Sequence, residues 1–156
     1  MYYFIIIAVT LIIDQFTKIL VASRLSLYES IEVIPGFFNL VYVTNRGAAF
    51  SILADVDSWW RHPFFILVGV IALGGLTLLY YRIRKDAPVQ SIGLAFIAGG
   101  ALGNLVDRIR VGAVIDFIDI YWSRFHWPAF NIADSAICIG VGLFLIFSFI
   151  ETENTK

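Results

Sequence analysis

The chain has 156 residues, of which 60% are hydrophobic and 15% charged. A water-soluble domain of that length carries roughly a quarter charged residues, so the mean hydropathy of +0.84 points to a membrane protein, and the length to one domain. The net charge of −1 excludes the basic surface that a nucleic-acid partner requires, and the single cysteine excludes an internal disulfide and any CxxC site.

A helix crosses a bilayer with about 20 mostly apolar residues, and four stretches qualify. The first, about 2–22, carries Asp14 and Lys18 in its second half. No Lys or Arg precedes Lys18 and an acid interrupts the apolar run, so it reads as a retained helix and not a cleaved signal peptide. A loop over 24–62 follows. Within it Phe37–Val43 (FFNLVYV) has the β-branched and aromatic composition of a strand. Further on, Asp55–His62 (DVDSWWRH) opens on an Asp cap, as a short interfacial helix would. The second and third spans, 63–81 and 88–106, are uncharged, and the short link between them holds Arg82, Arg84 and Lys85. The loop over 107–132 contains another strand pattern, Val114–Trp122 (VIDFIDIYW). The fourth span, 133–150, is uncharged from Ser135 to Ile150, a somewhat short run that the preceding turn extends, and ETENTK is a solvated tail. Cys138 lies in that apolar run and reads as a small core residue.

Lys and Arg concentrate in cytoplasmic loops. The short link is dense in them, whereas the long loops hold only Arg24, Arg46 and Arg61, and Arg108, Arg110 and Arg124. The expected topology therefore puts the link and both termini in the cytoplasm and two structured loops outside. Trp59, Trp60, Trp122 and Trp127 all fall in the long loops, where aromatic anchors meet a membrane interface.

Depth brings the polar residues together. At a rise of about 1.5 Å per residue, Asp14 lies roughly 18 Å above a start near Tyr2, with Lys18 one turn higher on the same face. Asn104, Asp107 and Arg108 close the third helix, Asn131 and Asp134 open the fourth, and Asp116 lies between them. All fall near the outer boundary of the hydrocarbon, where ionisable groups are costly and mark function. Each also has a plainer role open to it. Asp14 and Lys18 form an i,i+4 pair, N-x-x-D resembles a capping box with Asp in place of Glu or Gln, and Arg108 and Arg110 can snorkel. Asp119 follows Asp116 by three, so a strand aims only one of them inward. His62 and His126 have no partners at metal-ligand spacing, and no base is arranged beside Ser51 or Ser135. Residues alone reach a buried polar layer built around carboxylates. A proton-coupled carrier would also use such groups, but these cluster at one face and no inverted repeat is visible.

Four motifs go further: IDQFTK (Ile13–Lys18), TNRGAAFS (Thr44–Ser51), GNLVDRIRVGAVIDFI (Gly103–Ile118) and FNIADSAI (Phe130–Ile137). In this order, across four spans, the chain resembles the bacterial lipoprotein signal peptidases, also called signal peptidase II. The resemblance implies an all-α membrane fold of four transmembrane helices, with a small extracytoplasmic β-cradle and a short interfacial helix. It implies an aspartic endopeptidase in the bacterial cytoplasmic membrane that cuts diacylglyceryl-modified prolipoproteins just before the lipidated cysteine. The implied catalytic pair is Asp116 and Asp134. Asn45, Gly47, Ala48, Asn104, Arg108, Asn131 and Ala133 would line the site, and Asp14 and Lys18 would brace it. The family uses no metal or organic cofactor, its partners are prolipoproteins and membrane lipids, its inhibitor globomycin would occupy the site, and a monomer is expected. A non-catalytic subunit that merely holds lipoproteins is the remaining alternative, and an intact aspartate pair argues against it.

Two close carboxylates suit peptide hydrolysis without a metal. Like charges a few ångströms apart share one proton, so one member activates water and the other polarises the carbonyl. The dipole of the fourth helix favours Asp134 as the anion.

Overall fold

The computed structural model describes residues 2–47 and 59–154. Its four helices, α1 (Tyr2–Arg24), α2 (Arg61–Ile83), α3 (Pro88–Val111) and α4 (Ile132–Asn154), are each long and apolar enough to cross a membrane. They outrun the apolar stretches, because a helix ends where its backbone is capped and not where hydrophobicity falls. Thus α3 carries Asn104, Asp107 and Arg108 in its last two turns and stops at Gly112, whose N–H still bonds the Arg108 carbonyl and whose φ of 80° turns the chain out of the helix. Likewise α2 takes in Arg61 and His62. Trp59 and Trp60 form a turn before it, and the rest of the expected interfacial helix, 55–58, lies outside the described residues.

Helix α3 is the axis of the bundle, with α1, α2 and α4 packed around it. Lipid tails are as apolar as leucine, so helices in a bilayer associate through close packing and not through a hydrophobic drive. Small residues supply that closeness here. A Cβ on Gly93 would meet the Gly140 carbonyl at 2.7 Å, and one on Gly140 would meet the Gly93 carbonyl at 2.5 Å. The Gly140→Ala variant is accordingly expected to lose roughly 1–3 kcal/mol through overpacking, read as a lower melting temperature in detergent. Gly142→Ala, where an added Cβ meets nothing within 4 Å, should melt like the parent. Equal melting of the two variants would mean that the α3–α4 contact is not close-packed. The same helix face corrects one expectation. Helix α4 turns Ala133, Ala136 and Gly140 inward, a spacing that leaves Cys138 off the seam, and Cys138 is exposed.

At the end of the bundle where α1 and α3 finish and α2 and α4 begin lies an antiparallel sheet of four strands. These run in the order β1 (Ser30–Ile34), β2 (Phe38–Asn45), β3 (Val114–Trp122) and β4 (Phe125–His126). The two longer strands match the sequence patterns. Strand β1 escaped because it is short and exposed throughout, so no alternation marks it, and β4 has only two residues. In the β2–β3 ladder Val43 pairs with Asp116 and Asn39 with Asp119, with a bulge between Leu40 and Val43. Alternation sends Asp116 and Asp119 to opposite faces, yet both are buried. Asp119 is covered by its own partners, since Asn39 Nδ2 donates to it at 2.9 Å and His126 Nδ1 lies 2.9 Å away. His126, unpartnered in the sequence reading, is therefore a strand latch. Trp59, Trp60, Trp122 and Trp127 are all exposed at this end of the molecule.

Candidate active site

The buried positions of α1 are Tyr3, Thr10, Asp14, Lys18 and Val21, three, four or seven apart, which is one stripe facing the bundle. Asp14 and Lys18 are 0% and 1% exposed. An ammonium has three hydrogens to place, and Lys18 Nζ has three acceptors: Asp14 Oδ2 at 2.9 Å, Asp107 Oδ2 at 2.7 Å and Asn104 Oδ1 at 3.1 Å. Asp14 then uses its other oxygen to accept the Ala133 N–H at 2.9 Å, tying α1 to the first turn of α4. Gly103 makes room for that carboxylate, since a Cβ there would lie 2.5 Å from Asp14 Oδ2.

The start of α4 is a reciprocal cap. The Asp134 N–H donates to Asn131 Oδ1 at 2.9 Å, and the Asn131 N–H donates to Asp134 Oδ2 at 3.2 Å. The capping and site roles of N-x-x-D are thus not alternatives, because the same side chains do both. Asn131 Nδ2 reaches Asp116 Oδ1 at 2.7 Å and the Ile115 carbonyl at 3.1 Å. Asn104 Nδ2 donates to Asp134 Oδ1 at 2.8 Å. One asparagine therefore touches both candidate carboxylates, and a second fixes the remaining oxygen of Asp134.

Asp116 projects from β3 and is 4% exposed. Burial pushes its carboxyl up to about 7, and the neighbouring Asp134 charge adds to the rise. Hydrogen bonds from Asn131 and Asn45 and the charge of Lys18 oppose it without cancelling it. A carboxyl of this kind can hold a proton near neutrality while a neighbour stays charged, the division of labour that acid–base hydrolysis requires. Beside the pair, Arg108 Nη2 donates to the Gly47 carbonyl at 3.0 Å, and the guanidinium lies over the Phe65 ring at 5.2 Å. The Gly47 N–H in turn donates to Asn45 Oδ1 at 2.9 Å.

Of the residues singled out from the sequence, Asp14, Lys18, Asn45, Gly47, Asn104, Arg108, Asp116, Asn131, Ala133 and Asp134 thus belong to one connected region. Ala48 lies outside the described residues. Gln15 was missed, and Asp107 was placed in the polar layer but given no role in the site. Gln15 Nε2 donates to Asp14 Oδ2, the Gly103 carbonyl and Asp107 Oδ1 at 3.1, 3.2 and 2.9 Å. Asp107 accepts from Lys18, Gln15 and the Ile115 N–H. Its place three residues beyond Asn104 was the available signal, since i and i+3 share a helix face.

A family model described as Signal peptidase (SPase) II matches residues 6–150. The chain belongs to that family. It is a membrane-embedded hydrolase of the aspartic type, and the family removes signal peptides from prolipoproteins. Among curated relatives, the lipoprotein signal peptidase of Geobacter sulfurreducens is 52% identical over 94% of this chain and 90% of its own length. That of Haemophilus influenzae is 48% identical over 96% of this chain and 85% of its own. The fold agrees as well. A solved bacterial membrane enzyme superposes with a TM-score of 0.84 at 36% identity, covering 99% of this chain and 92% of that one.

Proposed function

We propose that Asp116 and Asp134 are the catalytic pair of a peptidase that cuts diacylglyceryl-modified prolipoproteins before the lipidated cysteine. The observation that carries this reading is the bonding of one fully buried Asn131 to both carboxylates, with Asp116 held near pH 7. Both oxygens of Asp134 accept N–H donors, an arrangement that suits an anion. Asp134 is then the base and Asp116 the acid. Asp134 takes a proton from water as its oxygen bonds to the scissile carbon, while Asp116 gives its proton to the carbonyl oxygen. On collapse the C–N bond breaks, the proton held by Asp134 passes to the leaving nitrogen, and a hydroxyl of the intermediate returns its proton to Asp116 as the new carbonyl forms.

Asn131 and Ala133 are 0% exposed, so in this reading they act on substrate only through the carboxylates they hold. Arg108, Asn45 and Gly47 are the groups this reading assigns to the substrate backbone, joined by Ala48 on its motif position alone, and the sheet serves as its cradle. The thin basic charge of the sheet end supports an outer location, with both termini cytoplasmic. The lipidated cysteine then stays in the bilayer during the cut.

The test is a gel-shift assay with purified protein and a diacylglyceryl-modified prolipoprotein across pH. Because the acid must start protonated, turnover is expected to fall as pH rises through about 7, where Asp116 ionises. Stability should follow the same sign. A carboxyl whose folded value exceeds its unfolded one, about 3.9, contributes stability that is complete below the unfolded value and lost as pH rises through the folded one. A folded protein that leaves authentic lipidated substrate uncut, or whose rate rises steadily through pH 9, would overturn the assignment.

A further inference from the structure

We propose that Asp107 is a positioning residue for the Asp116–Asp134 pair, setting the height at which β3 begins. The inference rests on the catalytic assignment above but concerns a residue that touches neither carboxylate. Asp107 sits in the last two turns of α3 and is 2% exposed. Its Oδ1 accepts from Gln15 Nε2 at 2.9 Å, and its Oδ2 from Lys18 Nζ at 2.7 Å and the Ile115 N–H at 3.1 Å.

Ile115 immediately precedes Asp116, and its two backbone groups are held from opposite sides. Its N–H goes to Asp107, and its carbonyl accepts from Asn131 Nδ2 at 3.1 Å. The path from Asp107 to Ile115 runs through the Gly112 turn, whose left-handed backbone reverses the chain after α3. A side chain on α3 thereby closes a short loop onto the strand that carries Asp116. The second arm runs through Lys18. Held by Asp107 and Asp14, the ammonium donates to Asn104 Oδ1, which leaves Asn104 Nδ2 facing Asp134 Oδ1. One carboxylate thus fixes both members of the pair, Asp116 through the backbone and Asp134 through an amide. Misplacing a reacting group by about 1 Å costs on the order of 10²-fold in rate.

Two variants separate positioning from bulk stability. Asp107→Ala removes both arms. An amide-to-ester replacement at Ile115 removes only the N–H and leaves the Lys18 ion pairs in place, so it keeps the test valid if the alanine variant does not fold. Expected for folded Asp107→Ala is a kcat lower by about 10²-fold with KM within about twofold, and loss of hydrogen-exchange protection at the Ile115 amide. Expected for the ester is about a tenfold loss in kcat with a parental melting temperature. Asp107→Asn keeps one acceptor oxygen and should recover part of the rate. Parental kcat in the ester variant, or losses confined to KM or to the folded fraction, would overturn the inference. Asp116→Asn is measured alongside. Activity there defeats the catalytic assignment itself, whereas an inactive Asp116→Asn beside a fully active ester variant defeats the Asp107 role alone.

Discussion

Asp116→Asn is expected to abolish cleavage, lowering turnover by on the order of 10⁴-fold, the upper range for removal of a positioned acid–base group, while the protein inserts and folds. The expectation of an intact fold comes from the local bonding. Asn131 Nδ2 needs an acceptor at the position of Asp116 Oδ1, and an asparagine at 116 supplies one from its carbonyl oxygen. The new amide nitrogen occupies the place of the protonated oxygen, so shape and donor are kept, but the proton that would pass to the scissile carbonyl is gone. The variant also loses the cost of ionising a buried carboxyl next to Asp134. Above pH 7 it should melt at or above the parental temperature, and below about pH 4, under the unfolded carboxyl value, the two should converge. This pairing of inactivity with unchanged or higher stability is what separates a catalytic residue from a structural one. Full turnover in purified Asp116→Asn would end the catalytic assignment, and a fall in melting temperature at pH 8 would show that Asp116 stabilises the fold in its charged form.

Which features the sequence exposes follows from the range of the forces involved. The spans are legible because crossing a bilayer requires a contiguous apolar length, a property of neighbours in sequence. Strands β2 and β3 are legible because each is long enough to carry β-branched and aromatic residues in number. The ends of α2 and α3 are less so, since Arg61 and Arg110 continue helices that hydropathy would stop. Cys138 illustrates a different limit. An apolar run says that a residue is out of water, but in a membrane helix lipid and protein core satisfy apolar side chains equally well, and only the Gly140–Gly93 seam decides which side faces protein. The site shows the converse. Asp14, Lys18, Asn104, Asp116, Asn131 and Asp134 announce themselves by their cost at that depth. Their pairing does not follow from cost, because Lys18 meets Asn104 across 86 positions and Asp14 meets Ala133 across 119. Asp107 stood in the same layer without a role for this reason: its partner Ile115 offers a backbone N–H, whose use leaves no trace in the amino-acid sequence.

That cross-chain network makes Lys18 the position where a single change should cost the fold most. Asp14 and Asp107 are 0% and 2% exposed, and Lys18 is the cation that contacts both, at 2.9 and 2.7 Å. Replacing it by Met keeps most of the volume but strands two buried carboxylates and removes a donor from Asn104 Oδ1. Breaking a buried ion pair from one side costs about 3–5 kcal/mol, a large share of the total stability of about 5–15 kcal/mol typical of a domain. Lys18→Met should therefore melt far below the parent in detergent, or fail to accumulate in the membrane. Asp14→Asn should be milder in stability, because its amide oxygen can still accept the Ala133 N–H, and should impair stability more than turnover. The decisive comparison is the triple variant Lys18→Met, Asp14→Asn, Asp107→Asn. With all three charges removed together no buried ion is left uncompensated, so the triple variant is expected to recover part of the stability lost in Lys18→Met. It should stay slow in turnover, since Asn104 Oδ1 has lost the Lys18 donor, with a 3.3 Å bond from Asn131 Nδ2 remaining, and the Ile115 N–H has lost its charged acceptor. A Lys18→Met protein that melts with the parent would mean that water or lipid headgroups neutralise these carboxylates, and that the buried ion pairs do not hold α1, α3 and α4 together.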